Sequence, residues 1–183
     1  DTRGGELLSA AADVTYEAAR RACVARTVER CGPIEGVVHA AGVLDRSSVM
    51  DKAADAFARV LAPKVRGTLA LDAALVEQSP RFVCYFASSS AVLGDFGAGD
   101  YAMANRFQMA YADYVEGQGA TRRIAIDWPA WTDAGMRVGD EQATKLYLRS
   151  SGQRALVDAA GLAVFDRLLG QPSGNYLVMA GDR

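Results

Sequence analysis

Short apolar stretches alternate with longer amphipathic ones along most of the chain. The short stretches are typical of strands buried in a parallel sheet, and the longer ones repeat apolar residues at helical spacing. The predicted strands are 6–12, 34–41, 82–86, 123–128 and 176–179, and the predicted helices are 15–30, 51–77, 101–115 and 156–169. Because strands alternate with helices, we expect an α/β fold whose sheet is parallel and whose crossovers are right-handed.

Glycine, proline and aspartate mark several boundaries of these elements. Gly32 followed by Pro33 ends the first helix, and Pro63 is expected to kink the second because it removes one backbone donor. Asp100 is expected to cap the helix at 101–115, since its carboxylate can accept from free N–H groups of the first turn. Residues 132–150 are polar and interrupted by glycine, which predicts a mobile lid.

Composition narrows the class of protein. The 183 residues, half of them apolar, suffice for a single domain over 1–183 with a substantial core. A net charge of −2 without a basic patch argues against nucleic acid. No apolar run is long enough for a membrane span, and the start does not resemble a signal peptide.

The titratable metal ligands are few. Cys23, Cys31 and Cys84 lack metal-ligand spacing, so we expect reduced thiols in a cytoplasmic protein and no bound metal. The single histidine, His39, rules out a site with several histidines, and a packed, hydrogen-bonded ring is the expected role for it.

The most informative stretch is 86–107, which reads FASSSAVLGDFGAGDYAMANRF. A strand runs into Ser88, a glycine-rich loop follows, and a helix then carries Tyr101 and Asn105 in its first turns. Residues four apart share one helical face. This pattern places a hydroxyl and a phenol at the edge of the sheet where α/β folds bind ligands.

Four segments, in this order, resemble the ketoreductase domains of modular polyketide synthases, a branch of the short-chain dehydrogenase/reductase superfamily. They are HAAG at 39–42, LAPKVRGT at 61–68 with Lys64, the serine-to-asparagine stretch, and WPAW at 128–131. The ordinary superfamily member has Tyr-x-x-x-Lys, whereas the ketoreductase branch has its lysine upstream and an asparagine in the helix. The resemblance runs from about residue 6 to the end.

The resemblance implies a Rossmann-like doubly wound sheet that lacks its first two strands and its glycine-rich loop. No G-x-G-x-x-G occurs in the chain, and Asp13-Val14 matches the segment that follows the third strand of the family. We therefore expect the N-terminal half of the reductase fold to be a partner, either as another chain or as a removed piece of the same one.

The resemblance also implies an activity. The family uses NADPH to reduce a β-ketoacyl chain, tethered to an acyl carrier protein among other synthase domains, to the β-hydroxyacyl product. Tyr101 would donate the proton, Lys64 would lower the pKa of that phenol, and Ser88 would hold the carbonyl oxygen. Asn105 would orient Lys64 or a relay water.

Further residues are assigned by the same resemblance. Asp13 would lie near the adenine amino group, unless it only caps a helix, and Pro129 would border the nicotinamide. The remaining cofactor candidates are Val14, Ala40, Ala41 and Gly42. The candidates for the substrate groove are Leu44, Asp45, Trp131 and Met136, of which the last two are as well explained as anchors of the lid.

The sequence is compatible with more than one stereochemical class of product and with two alternative functions. One class of the family carries Leu-Asp-Asp where this chain has Leu44-Asp45-Arg46, and the opposite class carries a tryptophan where this chain has Leu93. The alternatives are a non-reducing or epimerising member and a free-standing reductase of small ketones. The chain length and α-substituent of the substrate, the module position and the oligomeric state do not follow from the sequence.

Overall fold

The structure, a computed structural model, describes residues 5–45, 47–48, 50–95, 97–132 and 141–181. The described residues form one sheet of four parallel strands in the order β1-β2-β3-β4. The strands are β1 (Gly36–His39), β2 (Phe82–Ser88), β3 (Arg122–Trp128) and β4 (Gly174–Leu177). The predicted parallel α/β architecture is therefore confirmed.

Six helices connect and flank these strands within the described part of the chain. They are α1 (Glu17–Cys31), α2 (Ala54–Leu75), α3 (Ser90–Leu93), α4 (Gly99–Val115), α5 (Glu141–Ser151) and α6 (Asp158–Leu169). The short α3 and the helix α5 were not predicted. Helix α5 occupies the second part of the predicted lid at 132–150, and residues 133–140 of that lid lie outside the described residues.

Helices cover both faces of the sheet. Side chains of β2 and β3 that point to one face, such as Val83 and Ala125, pack with residues of α2 and α4. The alternate side chains, including Ile124 and Ile126, pack on the other face against α6. This alternation is the reason that both strands read as continuous apolar runs in the sequence.

The strand predicted at 6–12 is not formed, and this prediction was wrong. Residues 5–13 have no regular secondary structure, because a strand needs a hydrogen-bonded neighbour and no described strand lies beside this segment. Strand β1 is likewise paired along one edge only, with β2. The neighbouring helix α1 contains no buried residue.

The start of α4 differs from the prediction in one detail. The residue at the N-cap position is Ala98, not Asp100, and it makes no side-chain capping hydrogen bond. Asp100 lies in the first turn, where its Oδ1 accepts from the backbone N–H of Tyr101 at 2.9 Å. The loop before the helix uses Gly94 and Gly97 at φ of 80° and 73°, a region that favours glycine.

The cysteines form no disulfide among the described residues. Cys23, Cys31 and Cys84 are free thiols, and burial raises the pKa of Cys84 to about 12. Among the helices described, none combines the length and the apolar character needed to cross a bilayer.

His39 is a packed histidine, as predicted. It ends β1, is 2% exposed, and its Nε2 lies 3.2 Å from the carbonyl oxygen of Pro63, which lies within α2. Burial, followed by the positive charges of Lys64 and Arg20, lowers the pKa of His39 to about 4. The ring is therefore neutral in the folded protein at pH 7 and ties β1 to α2.

This lowered pKa predicts a loss of stability in acid. Between the folded pKa of about 4 and the unfolded value of 6.5 the unfolded chain binds more protons, so the free energy of unfolding falls as pH drops through that window, by about 3 kcal/mol. Because this chain has one histidine, isotope labelling of this chain alone lets NMR follow the His39 ring in the fold completed by an N-terminal half. A His39→Gln variant should show a flatter pH dependence between 6.5 and 4, whereas a wild-type ring that titrates near 6.5 would contradict the buried placement.

Candidate active site

A cavity of about 450 Å³ opens at the carboxyl ends of β1, β2 and β3. This is the edge at which parallel α/β sheets bind ligands, because the loops that follow the strands diverge there. Eight of the predicted site residues line it, namely Ala40, Gly42, Leu44, Lys64, Ser88, Tyr101, Pro129 and Trp131. The structure thus brings together residues that lie up to 91 positions apart in the sequence.

The hydroxyl groups of Ser88 and Tyr101 share this cavity. Ser88 ends β2, and its Oγ accepts from the N–H and the Oγ–H of Ser90 at 3.2 and 3.0 Å. Burial raises the pKa of the Tyr101 phenol, while its hydrogen bonds to Asn105 and Ser88 act in the opposite direction. Tyr101 is therefore a protonated phenol at neutral pH, held beside a serine hydroxyl.

Lys64 is buried, at 3% exposure, and its ammonium is held by two acceptors. Its Nζ donates to the carbonyl oxygen of Phe86 at 2.7 Å and to Oε1 of Gln108 at 3.0 Å. Gln108 in turn donates to the hydroxyl of Thr68 at 3.3 Å. Burial lowers the pKa of Lys64 to about 7, and the carboxylate of Asp127 raises it in part.

The expected lowering of the Tyr101 pKa by Lys64 is not found in this structure. The pKa of Tyr101 is raised, and the charges that act on it are those of Asp95 and Tyr147, both of which raise it further. The physical reason is that the Lys64 ammonium is directed to Phe86 and Gln108, so burial dominates at the phenol.

Asn105 is fully buried and does not line the cavity. Its Nδ2 donates to the backbone carbonyl of Tyr101 at 2.7 Å, while its Oδ1 is buried and has no hydrogen-bond partner among the described residues. The amide that holds Lys64 in place is that of Gln108 instead. Sequence reasoning missed Gln108, although its position seven residues after Tyr101 places it on the same face of α4.

A second missed residue is Asp127 in β3. It is fully buried, and neither carboxylate oxygen has a hydrogen-bond partner among the described residues. Burial raises its pKa to about 7, against the opposing charges of Arg106 and Lys64. The signal in the sequence is a lone carboxylate within the otherwise apolar run 124–128.

Helix α5 closes one side of the cavity. Tyr147 lines it, and its phenol lies 2.9 Å from the hydroxyl of Ser89. Nε2 of Gln153 also donates to that serine, at 3.4 Å. The other lining residues that the sequence did not indicate are Phe86, Ala87, Asp95, Trp128 and Ala130.

The predicted substrate groove is only partly assembled. Leu44 and Trp131 line the cavity, and the rings of Trp131 and Trp128 meet edge to face with centroids 5.0 Å apart. Asp45 does not line it, because its carboxylate accepts from the N–H of Ser47 at 2.9 Å. Met136 lies outside the described residues, as does Arg46, which stands where one class of the family has an aspartate.

The predicted cofactor residues fall into two groups. Ala40, Gly42 and Pro129 line the cavity, and Ala41 lies between the first two in the chain. Val14 lines a separate cavity between residues 8–14 and α1, and Asp13 precedes it. The carboxylate of Asp13 accepts from the N–H and the hydroxyl of Thr15, each at 2.8 Å, so it stabilises a turn before α1.

Comparisons with known proteins give one consistent result. A family model described as the KR domain matches residues 1–133. A polyketide synthase of Bacillus subtilis (strain 168), PksM, is 48% identical over 178 residues, which cover 97% of this chain and 4% of that protein. Polyketide synthase ThaG of Burkholderia thailandensis is 41% identical over 98% of this chain and 3% of its own length.

Solved structures agree with the sequence relatives. An N-terminal ketoreductase from the macrolactin assembly line has a TM-score of 0.86 at 32% identity, covering 99% of this chain and 35% of its own. A ketoreductase domain from the bacillaene assembly line also has a TM-score of 0.86 at 32% identity, covering 93% and 42% respectively. This chain therefore spans a few per cent of the synthases and about two fifths of the solved ketoreductases.

Trp131, which lines the cavity, packs against Gly161 of α6. A Cβ at Gly161 of α6 would overlap the indole ring of Trp131, whereas a Cβ at Gly170, at the end of the same helix, meets only ordinary contacts. We expect Gly161→Ala to destabilise the folded protein by about 1–3 kcal/mol through overpacking. The matched control Gly170→Ala should change stability by less than about 0.5 kcal/mol.

Denaturant unfolding measures both variants in the chain completed by an N-terminal half of the fold, so that the transition is cooperative. A Trp131→Phe background should reduce the cost of Gly161→Ala, because the smaller ring leaves room for the methyl group. An equal cost in both backgrounds would contradict the contact between Gly161 and Trp131.

Proposed function

Since the chain belongs to the KR domain family, the ketoreductases of polyketide synthase assembly lines, we propose that it carries out the NADPH-dependent reduction of a β-ketoacyl chain on an acyl carrier protein to the β-hydroxyacyl product. The observation that carries this proposal is the shared cavity of Ser88, Tyr101 and Lys64 at the carboxyl edge of the sheet. Three groups able to act on a carbonyl oxygen face one space there.

The proton chemistry follows from the protonation states. Reduction of a ketone needs a hydride on carbon and a proton on oxygen, and the reduced nicotinamide supplies the hydride when it is bound. Tyr101, whose phenol is kept protonated by burial, donates the proton to the carbonyl oxygen. Ser88 donates a hydrogen bond to the same oxygen and stabilises the charge that develops on it.

Lys64 acts from behind these two groups. Its lowered pKa of about 7 allows it to lose or gain a proton near neutral pH, which suits a group that resupplies Tyr101. Asn105, whose Oδ1 is buried without a partner among the described residues, would hold a water that connects the lysine to the phenol.

The residues around the cavity fit a nicotinamide ring. Ala40, Gly42 and Pro129 offer small or rigid, uncharged surfaces on which a flat ring can lie. Asp13 and Val14, with Ala41, would extend the binding surface toward the adenine end. The choice of NADPH over NADH is part of the proposal and rests on the family alone.

The substrate would enter past Leu44 and Trp131, which border the cavity. Asp45 and Met136 are proposed to belong to the same groove. Residues 132–150, including α5, are proposed as a lid that closes over the acyl chain, with Tyr147 as its contact to the strand ends.

We also propose a physical partner, an N-terminal half of the reductase fold that pairs with the free edge of β1. The open edge of β1, the unpaired segment 5–13 and the absence of buried residues in α1 support this proposal. Other synthase domains would surround the completed unit in the cytoplasm, where free thiols such as those of this chain persist.

Removal of the Tyr101 hydroxyl tests the proposed proton donor. Tyr101→Phe should lower the rate of reduction by roughly 10²–10⁴-fold, because only the transferable proton is lost. Folding and NADPH binding should be unchanged. The matched control is Tyr114→Phe on the same helix, since Tyr114 is 71% exposed and should tolerate the change.

Rates are measured with a carrier-tethered β-ketoacyl substrate in the completed reductase. Turnover in Tyr101→Phe equal to that of wild type would refute the assignment. Isotope washout at the α-carbon without reduction would favour the epimerising alternative, and equal rates with a soluble thioester would favour the small-ketone reductase.

Expression of the chain without an N-terminal half-domain tests the need for a partner. Residues 1–183 expressed alone should be poorly soluble or molten and should bind no NADPH, because the apolar edge at β1 is unpaired and prone to association. Supplying an N-terminal half-domain, covalently or as a separate chain, should restore a cooperative thermal transition and cofactor binding. A cooperative transition together with micromolar NADPH binding by the 183 residues alone would disprove the need for a partner.

A further inference from the structure

Lys52 and Asp100 form an ion pair that is closed to solvent. Nζ of Lys52 lies 2.6 Å from Oδ2 of Asp100, and their side chains are 1% and 0% exposed. Lys52 lies just before α2, and Asp100 lies in the first turn of α4, 48 residues later. Neither belongs to the set of residues that sequence reasoning assigned to catalysis, cofactor or substrate.

A buried pair of this kind needs an explanation beyond stability. The cost of removing two charges from water often exceeds their mutual attraction, so apolar residues would serve a purely structural role at least as well. Buried pairs are better explained where they fix two segments in a defined arrangement.

One end of the pair holds the loop that follows β1. Nζ of Lys52 donates to the backbone carbonyl of Asp45 at 2.7 Å and lies 3.8 Å from its carboxylate. Asp45 follows Leu44, which lines the cavity. The ammonium thus anchors the main chain one residue from the wall of the site.

The other end holds the proposed proton donor. Oδ1 of Asp100 accepts from the backbone N–H of Tyr101 at 2.9 Å, while Oδ2 binds Lys52. Both oxygens of this carboxylate are therefore engaged, one by each side of the cavity. A continuous path of short contacts runs from the Leu44 wall through Lys52 and Asp100 to Tyr101.

We propose that Lys52 and Asp100 are positioning residues for the reduction, which set the distance between the Leu44 wall of the substrate groove and the phenol of Tyr101. This inference rests on the proposed function. Neither side chain lines the cavity, so both act through Asp45 and Tyr101. When the pair is broken, the groove wall moves relative to the proton donor, and the ketone can present either of its faces.

The effect should fall on the chemical step. A displacement of about 1 Å between reacting groups can lower a rate roughly 10²-fold, so we expect Lys52→Met to lower kcat by about that factor. The KM for NADPH should stay unchanged, and the fraction of the minor alcohol enantiomer should rise. Lys52→Arg keeps a cation at the same place and should recover most of the rate and the selectivity.

The experiment compares variants of the completed reductase with a carrier-tethered β-ketoacyl substrate. It measures kcat, KM, the ratio of the two alcohol configurations, and the thermal midpoint of each variant. Asp100→Asn and the double variant Lys52→Met with Asp100→Asn complete a cycle, in which the double loss should not exceed the larger single loss. The matched control is Arg59→Met, which breaks the exposed pair with Asp55 and should change nothing.

The outcomes separate this inference from the proposed function. If wild type reduces the substrate but the kcat and product ratio of folded Lys52→Met equal those of Arg59→Met, the pair is structural only and the inference is wrong. If Lys52→Met does not fold, Asp100→Asn decides in the same way, since a kcat and product ratio of folded Asp100→Asn equal to those of Arg59→Met would overturn the inference. If wild type itself reduces nothing, the proposed function has failed first.

Discussion

Seven residues of β2 pair in parallel with seven of β3, and this ladder fixes the position of everything around the cavity. Parallel pairing brings both strands to an end at the same level, with Ser88 opposite Trp128. The N–H of Ser89 then donates to the carbonyl oxygen of Trp128 at 2.9 Å, so the two chains leave the sheet side by side. The Ser88 hydroxyl and the Trp128 ring line the same cavity because of this register. A shift of one residue in the pairing would turn each side chain to the other face of the sheet.

Around that ladder the protein buries four ionisable side chains close to the cavity. Lys64 lines the cavity, and Asp127 is buried in β3. Lys52 and Asp100 form their pair outside the cavity lining, and all four side chains have little or no exposure. A buried charge is costly unless another charge or a set of hydrogen bonds balances it. Helix α4 supplies a partner to each lysine, through Gln108 for Lys64 and Asp100 for Lys52. Asp127 has no hydrogen-bond partner among the described residues, and burial raises its pKa instead.

Much of the fold and part of the site could be predicted from local patterns. The strands β2 and β3 and the helix α4 were found because their apolar periodicity is long and both faces of the sheet are covered. The segment 6–12 shows the limit of that reasoning, since its strand-like composition cannot form a ladder without a neighbour. The position of Tyr101 at the start of a helix was likewise readable from the glycine-rich loop before it.

The rest of the site depends on contacts between distant segments. Gln108 holds Lys64 across 44 residues, and Tyr147 reaches Ser89 across 58, distances at which spacing in the sequence carries no information. The pKa of Tyr101 was misjudged for a similar reason. Proximity of a lysine was inferred from the order of motifs, whereas burial, which only the packed structure reveals, sets the direction of the shift.

The last third of the chain returns to the cavity. This return matters for the design of chimeras in which reductases are exchanged between assembly lines. The segment recognised by the family model stops at residue 133, yet Tyr147 and the helix α6 lie beyond it. A splice junction placed at that limit would remove the cover from Ile124 and Ile126 and leave an apolar sheet face open to water. A chimera that keeps this face covered therefore needs its junction after β4, the last strand among the described residues.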